Sequence, residues 1–361
     1  MIKVIYLGYN DFIQNKRGVE NVIYFQSTFL ENCLKYYIHW GNETKVYKYN
    51  KFVCISVKKK VVWDKLINLL IINVIIKKIF RRKRGYIHSH NPIMSLFIIW
   101  KTDIFTVHDG LYYLNKSKRR LFANLFAFLE ILLYKRCKYV HFISKFSKDN
   151  SMFPKNRNNY KIIYNTSHFE SIVLSETKND LAISKIDNIN KNFKTALIVR
   201  SIEERAAIDL ILEVSNVFEN EIFFLIVGKG PLLDYYKNKQ EELKIKNLLF
   251  LGYLDDNTLI NFYQKADFII VPAYYGEGFG LPIIEAYYFN KPVFASNICA
   301  IPEIIIDPCY LFDNNFESLV NKLRNRSKYK HNYKAFYDIN YSNKIISKKY
   351  KSMYNSVIKI K

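Results

Sequence analysis

Glu277 and Glu285 have seven residues between them, and that run opens Gly278-Phe279-Gly280-Leu281-Pro282. A carboxylate accepts hydrogen bonds and cannot donate them, so a pair of glutamates suits the hydroxyls of a sugar. The glycines let a ligand approach the backbone closely. Pro282 suits the first position of a helix, whose N-terminal N–H groups attract anions. Two carboxylates flanking an anion-binding turn fit a ligand with both phosphate and hydroxyls, which describes a nucleotide sugar. For the turn taken alone, a plain glycine turn with glutamates at the favourable end of a helix is the alternative. Arg200 and Arg205 supply two cations after another apolar run, a placement that can clamp a diphosphate by charge-assisted hydrogen bonds. Surface arginines paired with Glu203 and Glu204 are the alternative there.

The elements that must position these residues are legible around them. Phe268-Ile269-Ile270-Val271 reads as a buried parallel strand, and the helix opened by Pro282 runs to Phe289. Asn290 tolerates the left-handed conformation that ends helices, Pro292 stops continuation, and Val293-Phe294-Ala295 is the next strand. Lys194 to Val199 is a strand leading to Arg200, with a helix around Ile208–Leu212 after Arg205. Two further strands end in glycine turns, Phe223–Val227 before Gly228 and Leu248–Leu251 before Gly252.

The first half repeats the alternation. Lys3–Gly8 is a strand, and a polar loop leads through Arg17-Gly18 to a helix expected over Val22–Leu34. Trp63–Phe80 is apolar but interrupted by Asp64, Lys65, Asn68 and Asn73, short of the ~20 clean residues of a spanning helix. Lys77, Lys78 and Arg81–Arg84 follow, which predicts a helix lying on an anionic membrane, a core helix with a solvated basic end being the alternative. His88 and His90 lack a third partner for a metal. Asp103–Val107 is a strand ending in His108, where residues face the ligand crevice of a doubly wound sheet. One long helix is expected over Arg119–Lys138, then a strand over Tyr139–Ser144. Residues 171–193 read as an interdomain linker, and residues 340–361 as a final helix.

A chain of 361 residues, half of them hydrophobic, accommodates two domains. The net charge of +23 is uneven: +20 over residues 1–170, −8 over 171–321 and +11 over 322–361. Abundant Lys, Asn, Ile, Tyr and Phe are what AT-rich coding DNA favours, so composition alone explains part of the excess. The asymmetry points to an anionic surface, either membrane headgroups or a lipid-phosphate acceptor, and no nucleic-acid-binding motif is present. Cys33, Cys54, Cys137, Cys299 and Cys309 are scattered and odd in number, which argues against a disulfide framework. The opening Met1–Gly8 is a strand and not a signal peptide, so the expected compartment is the cytoplasm, at the inner face of the membrane.

The composite from Glu277 to Glu285 resembles the donor-site motif of retaining glycosyltransferases of family 4. Its flanks agree: Ala266-Asp267 and Val271-Pro272 before it, Lys291-Pro292-Val293 and Ile301-Pro302-Glu303 after it. The resemblance is strong from about Ala196 to Asp307 and weaker, but in register, over the first half. It implies the GT-B fold, two Rossmann-like α/β domains facing across a cleft. An acceptor domain over 1–170, completed by the helix of 340–361, would precede a donor domain over 194–339. It implies transfer of a sugar from a nucleotide-diphosphate donor to a glycan or lipid-linked acceptor, with retention, no cofactor and no metal. By resemblance Glu277 holds donor-sugar hydroxyls, Glu285 holds the ribose, and His108 lies beside the donor sugar. Arg200, Arg205 and the amides of Gly278, Phe279, Gly280 and Leu281 face the diphosphate, with Gly18 near it. Gly228 and Gly252 line the nucleotide side. The family's Gly-Gly before the first helix is Arg17-Gly18 here. Its Gly-Arg and Lys-Gly are Val199-Arg200 and Arg205-Ala206, which keeps the charge and alters the diphosphate geometry. A nucleotide-sugar epimerase of the same fold, or a non-catalytic partner in a glycan-assembly complex, is the alternative function.

Overall fold

The protein is described by a computed structural model that covers residues 2–13, 18–58, 62–81, 85–117, 123–172, 186, 189, 192–328 and 330–358. The chain forms two compact units, residues 1–165 with 346–361 and residues 166–345. Arg17, Arg82–Arg84 and most of the stretch 171–193 lie outside the described residues.

In unit 1 the elements are β1 (Ile2–Leu7), α1 (Gly18–Thr28), β2 (Cys33–Gly41), β3 (Lys45–Tyr49), β4 (Phe52–Lys58), α2 (Val62–Phe80), β5 (Tyr86–Ser89) and α3 (Pro92–Phe97). Then come β6 (Thr102–Val107), α4 (Leu111–Ser117), α5 (Ala123–Arg136), β7 (Cys137–Phe142), α6 (Lys145–Asp149) and β8 (Tyr160–Ile162). The described strands form one sheet in the order β3-β4-β2-β1-β5-β6-β7-β8. All neighbours are parallel except β3, which returns antiparallel on β4. The central strands read as continuous apolar runs because both faces are covered. Val4 and Tyr6 face one core, while Ile5 and Leu7 face the other, with Leu69, Ile72, Ile76 and Phe80 of α2.

The expected helix over Val22–Leu34 is shorter than the apolar spacing suggested. It ends at Thr28, Asn32 turns the chain at φ 56°, and Cys33 starts a strand. Leu34 and Tyr37 pair with Lys3 and Tyr6 of β1, so tertiary pairing overrides local periodicity here. Likewise the helix expected over Arg119–Lys138 stops at Arg136. Cys137 pairs with Thr102 in the sheet, and residues 118–122 lie outside the described set.

Unit 2 holds a short 3₁₀ turn (His168–Ser171), β9 (Lys194–Val199), α7 (Ile208–Ser215), β10 (Ile222–Val227), α8 (Leu233–Glu242), β11 (Leu248–Gly252), α9 (Asp256–Lys265) and β12 (Phe268–Val271). These are followed by α10 (Leu281–Tyr288), β13 (Val293–Ser296), α11 (Ile301–Ile304), β14 (Leu311–Phe312), α12 (Phe316–Arg324) and α13 (Tyr333–Asn340). The sheet is parallel, in the order β11-β10-β9-β12-β13-β14. Asp267, just before β12, accepts hydrogen bonds from the Thr195 backbone N–H and hydroxyl, which pins β9 to β12.

The last helix, α14 (Asn343–Ile358), belongs with unit 1 from Ile346 onward. Ile346, Tyr350, Met353, Tyr354 and Ile358 recur at helical spacing and are buried with Val4, Tyr6 and Ile104. Each such side chain contributes roughly 1.5–3 kcal/mol of burial, before the cost of ordering the helix. Two of them also donate or accept polar contacts: Tyr350 takes the Gln26 amide at 2.9 Å, and the Tyr354 hydroxyl lies 2.9 Å from His88 Nδ1.

Candidate active site

In unit 2 the strand order turns around β9. The chain leaves β9 for β10 on one side and later returns to β12 on the other. Loops that diverge in this way leave a crevice at the carboxyl ends of the strands. Arg200 follows β9, and the Gly-rich loop follows β12, so the sheet topology brings together groups far apart in sequence.

Arg200 Nη1 donates to Glu277 Oε2, and both side chains are nearly buried. Arg200 Nε is also buried and has no hydrogen-bond partner, so one donor of this guanidinium is unused. Arg205 Nη1 donates to the Gly276 carbonyl at 2.6 Å, and its Nε lies 3.4 Å from Glu203 Oε2. The Arg205 carbonyl accepts from Tyr274 N at 2.9 Å. Tyr274 and Tyr275 donate their hydroxyls to Asp209 and Glu204. The loop after β12 is thus laced to the segment after β9 at several points. It is held from the other side by Ala300 N, which donates to the Glu277 carbonyl at 3.2 Å.

The glycines have distinct reasons. Gly276 and Gly280 sit at φ 67° and 95°, which an L side chain resists. Gly280 caps α10 directly, with proline in the first helical turn. Gly228 follows β10 at φ 145°, and a Cβ there would lie 1.7 Å from the Arg200 carbonyl oxygen. Gly252, at φ 68°, faces open space. Phe279 is buried and meets Tyr341 edge to face at 6.3 Å. Gly278 and Leu281 complete the turn into α10.

Glu285 lies one turn inside α10 and is buried. Its Oε2 accepts from the Tyr263 hydroxyl at 2.8 Å. Its Oε1 is 3.5 Å from His168 Nδ1, whose Nε2 lies 3.2 Å from Asp256 Oδ1. Burial by itself lowers the His168 pKa, but the hydrogen bonds and charges of Asp256 and Glu285 outweigh it and raise it above 6.5.

His108 and Gly18 belong to unit 1. Gly18 is the exposed first residue of α1. His108 follows β6, and its Nε2 lies 2.9 Å from His90 Nδ1. Burial pushes the His108 pKa down to about 3, so the imidazole is neutral at physiological pH. The pair lines a cavity of about 180 Å³ with Asp109 and Glu130. His90 Nε2 is buried there with no hydrogen-bond partner. His88 is committed elsewhere, between Thr106 and Tyr354. Among the described residues, no group of three or more His, Cys, Asp or Glu is arranged to hold a metal ion.

Sequence reasoning passed over His168, Asp256 and Tyr263. They carry no local motif, and only the packing of α9 and of the 3₁₀ turn on α10 brings them to Glu285. The link of His90 to His108 was equally invisible, although both are placed by strand ends of the same sheet.

Two α/β units, each built on a sheet that is parallel throughout except at β3, give the GT-B fold. Residues 179–339 match the family described as Glycosyl transferases group 1. An uncharacterized 41.2 kDa protein in the cps region of Klebsiella pneumoniae is 24% identical over 68% of this chain and 69% of its own length. The O-antigen chain mannosyltransferase RfbU of Salmonella typhimurium is 28% identical over 68% of this chain and 65% of its own. Among solved structures, a sucrose-phosphate synthase from Thermosynechococcus elongatus superposes with a TM-score of 0.79 at 14% identity, over 99% of both chains. Anabaena HepE, solved with UDP and glucose, gives 0.76 at 12% identity over 99% of this chain and 100% of its own. At these identities the structures speak for the fold.

Proposed function

We propose that the protein moves a sugar from a nucleotide-diphosphate donor to a glycan or lipid-linked acceptor in bacterial surface polysaccharide assembly, with retention at the anomeric carbon. The observation that carries the donor site is the meeting of Arg200, Glu277 and the N-terminus of α10 at the carboxyl ends of β9 and β12. Breaking the bond between sugar and diphosphate builds negative charge on the leaving phosphate. Groups already aimed at that charge lower the barrier most. The unused Arg200 Nε, the Arg205 guanidinium and the turn of Gly278 to Leu281 supply positive potential without a metal. Glu277 accepts from hydroxyls of the donor sugar, and its carboxylate also fixes Arg200. Glu285 accepts from the ribose. Gly228 and Gly252 leave backbone accessible on the nucleotide side. His108, neutral, and Gly18 belong to unit 1, and their roles rest on the family resemblance alone. The naming of RfbU as an O-antigen mannosyltransferase and the place of the Klebsiella relative in a cps region support the pathway. HepE was solved with UDP, which supports a nucleotide donor.

The same proposal includes an anionic membrane as the surface on which unit 1 works. The outer face of α2 leaves Leu70, Ile71 and Val74 exposed, the first at 67%. Asn73 joins α2 to the end of α3, accepting from Ile99 N at 2.8 Å. Phe97 and Ile99 (73% exposed) therefore extend the apolar patch. Exposed Lys77, Lys78 and Arg81 edge it. Each contributes about 1 kcal/mol near an anionic headgroup layer. Among the described residues, no helix is long and apolar enough to cross a membrane.

A thermal-shift panel of UDP, GDP, dTDP, CMP and their sugars tests the donor site on wild type and Glu285→Gln. A ligand at about 100 times its Kd stabilises by about 2.7 kcal/mol. One nucleotide shifting the wild type and not the variant supports the donor site. No shift with any nucleotide refutes it and favours the non-catalytic alternative.

A further inference from the structure

We propose, on the strength of the donor-site reading above, that His168 is a positioning residue for nucleotide binding. Gripped between Asp256 of α9 and Glu285 of α10, its doubly protonated ring fixes the ribose carboxylate and makes binding proton-dependent.

The geometry is that of a ring with both nitrogens used. Nδ1 faces Glu285 Oε1 at 3.5 Å and Nε2 faces Asp256 Oδ1 at 3.2 Å. A neutral imidazole has one N–H and can satisfy one carboxylate; the imidazolium donates to both. Glu285 Oε2 is held separately by the Tyr263 hydroxyl. With His168 protonated, each oxygen of Glu285 has a fixed donor and keeps a free lone pair for a ribose hydroxyl. With His168 neutral, the ring no longer satisfies both acids, and Glu285 loses the charged donor that balances it in a buried place.

Charge points the same way. Asp256 and Glu285 are the carboxylates facing the ring. Tyr263, the other titratable group of the cluster, stays protonated because burial raises its pKa well above 10. The cluster therefore carries −1 with His168 charged and −2 with it neutral. A nucleoside diphosphate is itself an anion, so it binds better to the first state. The raised pKa of His168 sets the window: the charged ring persists above pH 6.5 and is lost as pH rises further.

His168 also stands close behind the point where the chain passes from unit 1 to unit 2, at Asn165 and Thr166. Thr166 and Glu170 on either side of it are anchored, to Tyr337 and Asn343. The ring is thus placed by a tethered backbone and not by a free loop.

The experiment is nucleotide affinity against pH from about 6 to 9, by calorimetric titration, for wild type, His168→Gln and Asp256→Asn. The probe is the nucleoside diphosphate that stabilises the wild type. Wild-type affinity is expected to fall roughly tenfold across the titration of one ring, the scale of a charge-assisted hydrogen bond. His168→Gln should bind about tenfold more weakly than wild type at the acid end and show only the ligand's own phosphate titration. Asp256→Asn, changed at a partly exposed side chain, should keep the pH dependence but move its midpoint to lower pH. A structural role alone would not move that midpoint. If His168→Gln folds, binds as wild type does and keeps the same pH profile, the inference is overturned while the donor site stands. If Asp256→Asn leaves the midpoint where it was, the clamp is overturned. If no nucleotide binds the wild type at any pH, the donor-site reading fails and takes this inference with it.

Discussion

The pair Arg200–Glu277 offers a test of how the site is held together. The perturbation is a double-mutant cycle of Arg200→Met, Glu277→Gln and the combination. Arg200 is 7% exposed and Glu277 13%, so neither charge can turn to water when its partner is removed. Loss of Arg200 strands a buried carboxylate, at a cost of about 3–5 kcal/mol. Loss of Glu277 costs less, about 1.5–3 kcal/mol, because glutamine still offers an acceptor to Nη1. The double variant removes both charges and should recover most of the larger loss, leaving a coupling of about 2–3 kcal/mol. Urea unfolding followed by far-UV circular dichroism is the assay. Trp40, Trp63 and Trp100 all fall within the unit 1 sequence, so tryptophan fluorescence serves as a control on the other unit. Additive losses in the double variant, or an Arg200→Met protein within 0.5 kcal/mol of wild type (roughly the noise of a surface substitution), would refute the buried-pair argument.

Gly228→Ala should cost more than about 3 kcal/mol and abolish nucleotide binding, combining a forbidden φ with a Cβ driven into the Arg200 carbonyl. Gly252→Ala is the control, since its Cβ meets nothing, and should cost only about 1–2 kcal/mol. Unit 1 should weaken in acid, because burial holds His108 down at about 3 and His141 at about 4. These rings are neutral in the fold and charge on unfolding, so the stability they give is complete above pH 6.5 and is lost as pH falls toward 4, by about 3 kcal/mol for His141 alone. Urea midpoints by tryptophan fluorescence at pH 7.5, 5.5 and 4.5 measure this. Finally, sedimentation with vesicles should show binding when anionic lipid is present. Leu70→Asp with Val74→Asp should reduce it severalfold without changing the melting temperature, both side chains being exposed on α2.

What could be read from the sequence was whatever is local. The strand before the Gly-rich turn, Pro282 opening the helix, and Asn290 ending it in the left-handed region (φ 57°) are short-range facts of backbone chemistry. The two glutamates and the turn between them fall within one such unit, so their resemblance to a donor-site motif is legible in the sequence alone. The apolar run of α2 was visible too. The sequence could not say that Leu69, Ile72 and Ile76 would be buried while Leu70 and Val74 faced out. Nor could it show the strands over residues 33–58, where aromatic periodicity is ambiguous and pairing with β1 settles the matter.

The tertiary structure decided which distant groups meet. Parallel strands are joined by crossovers, so neighbours in a sheet are separated by tens of residues, and nothing in the spacing states their order. Because β9 lies beside β12, Arg200 reaches Glu277 across 77 residues. Because α9 and the 3₁₀ turn pack on α10, His168 comes to lie between Asp256 and Glu285. Residue types and local spacing determined the kind of ligand proposed for this chain. Strand order and helix packing determined which charges face it, since an electrostatic interaction depends on distance and burial and not on position along the chain.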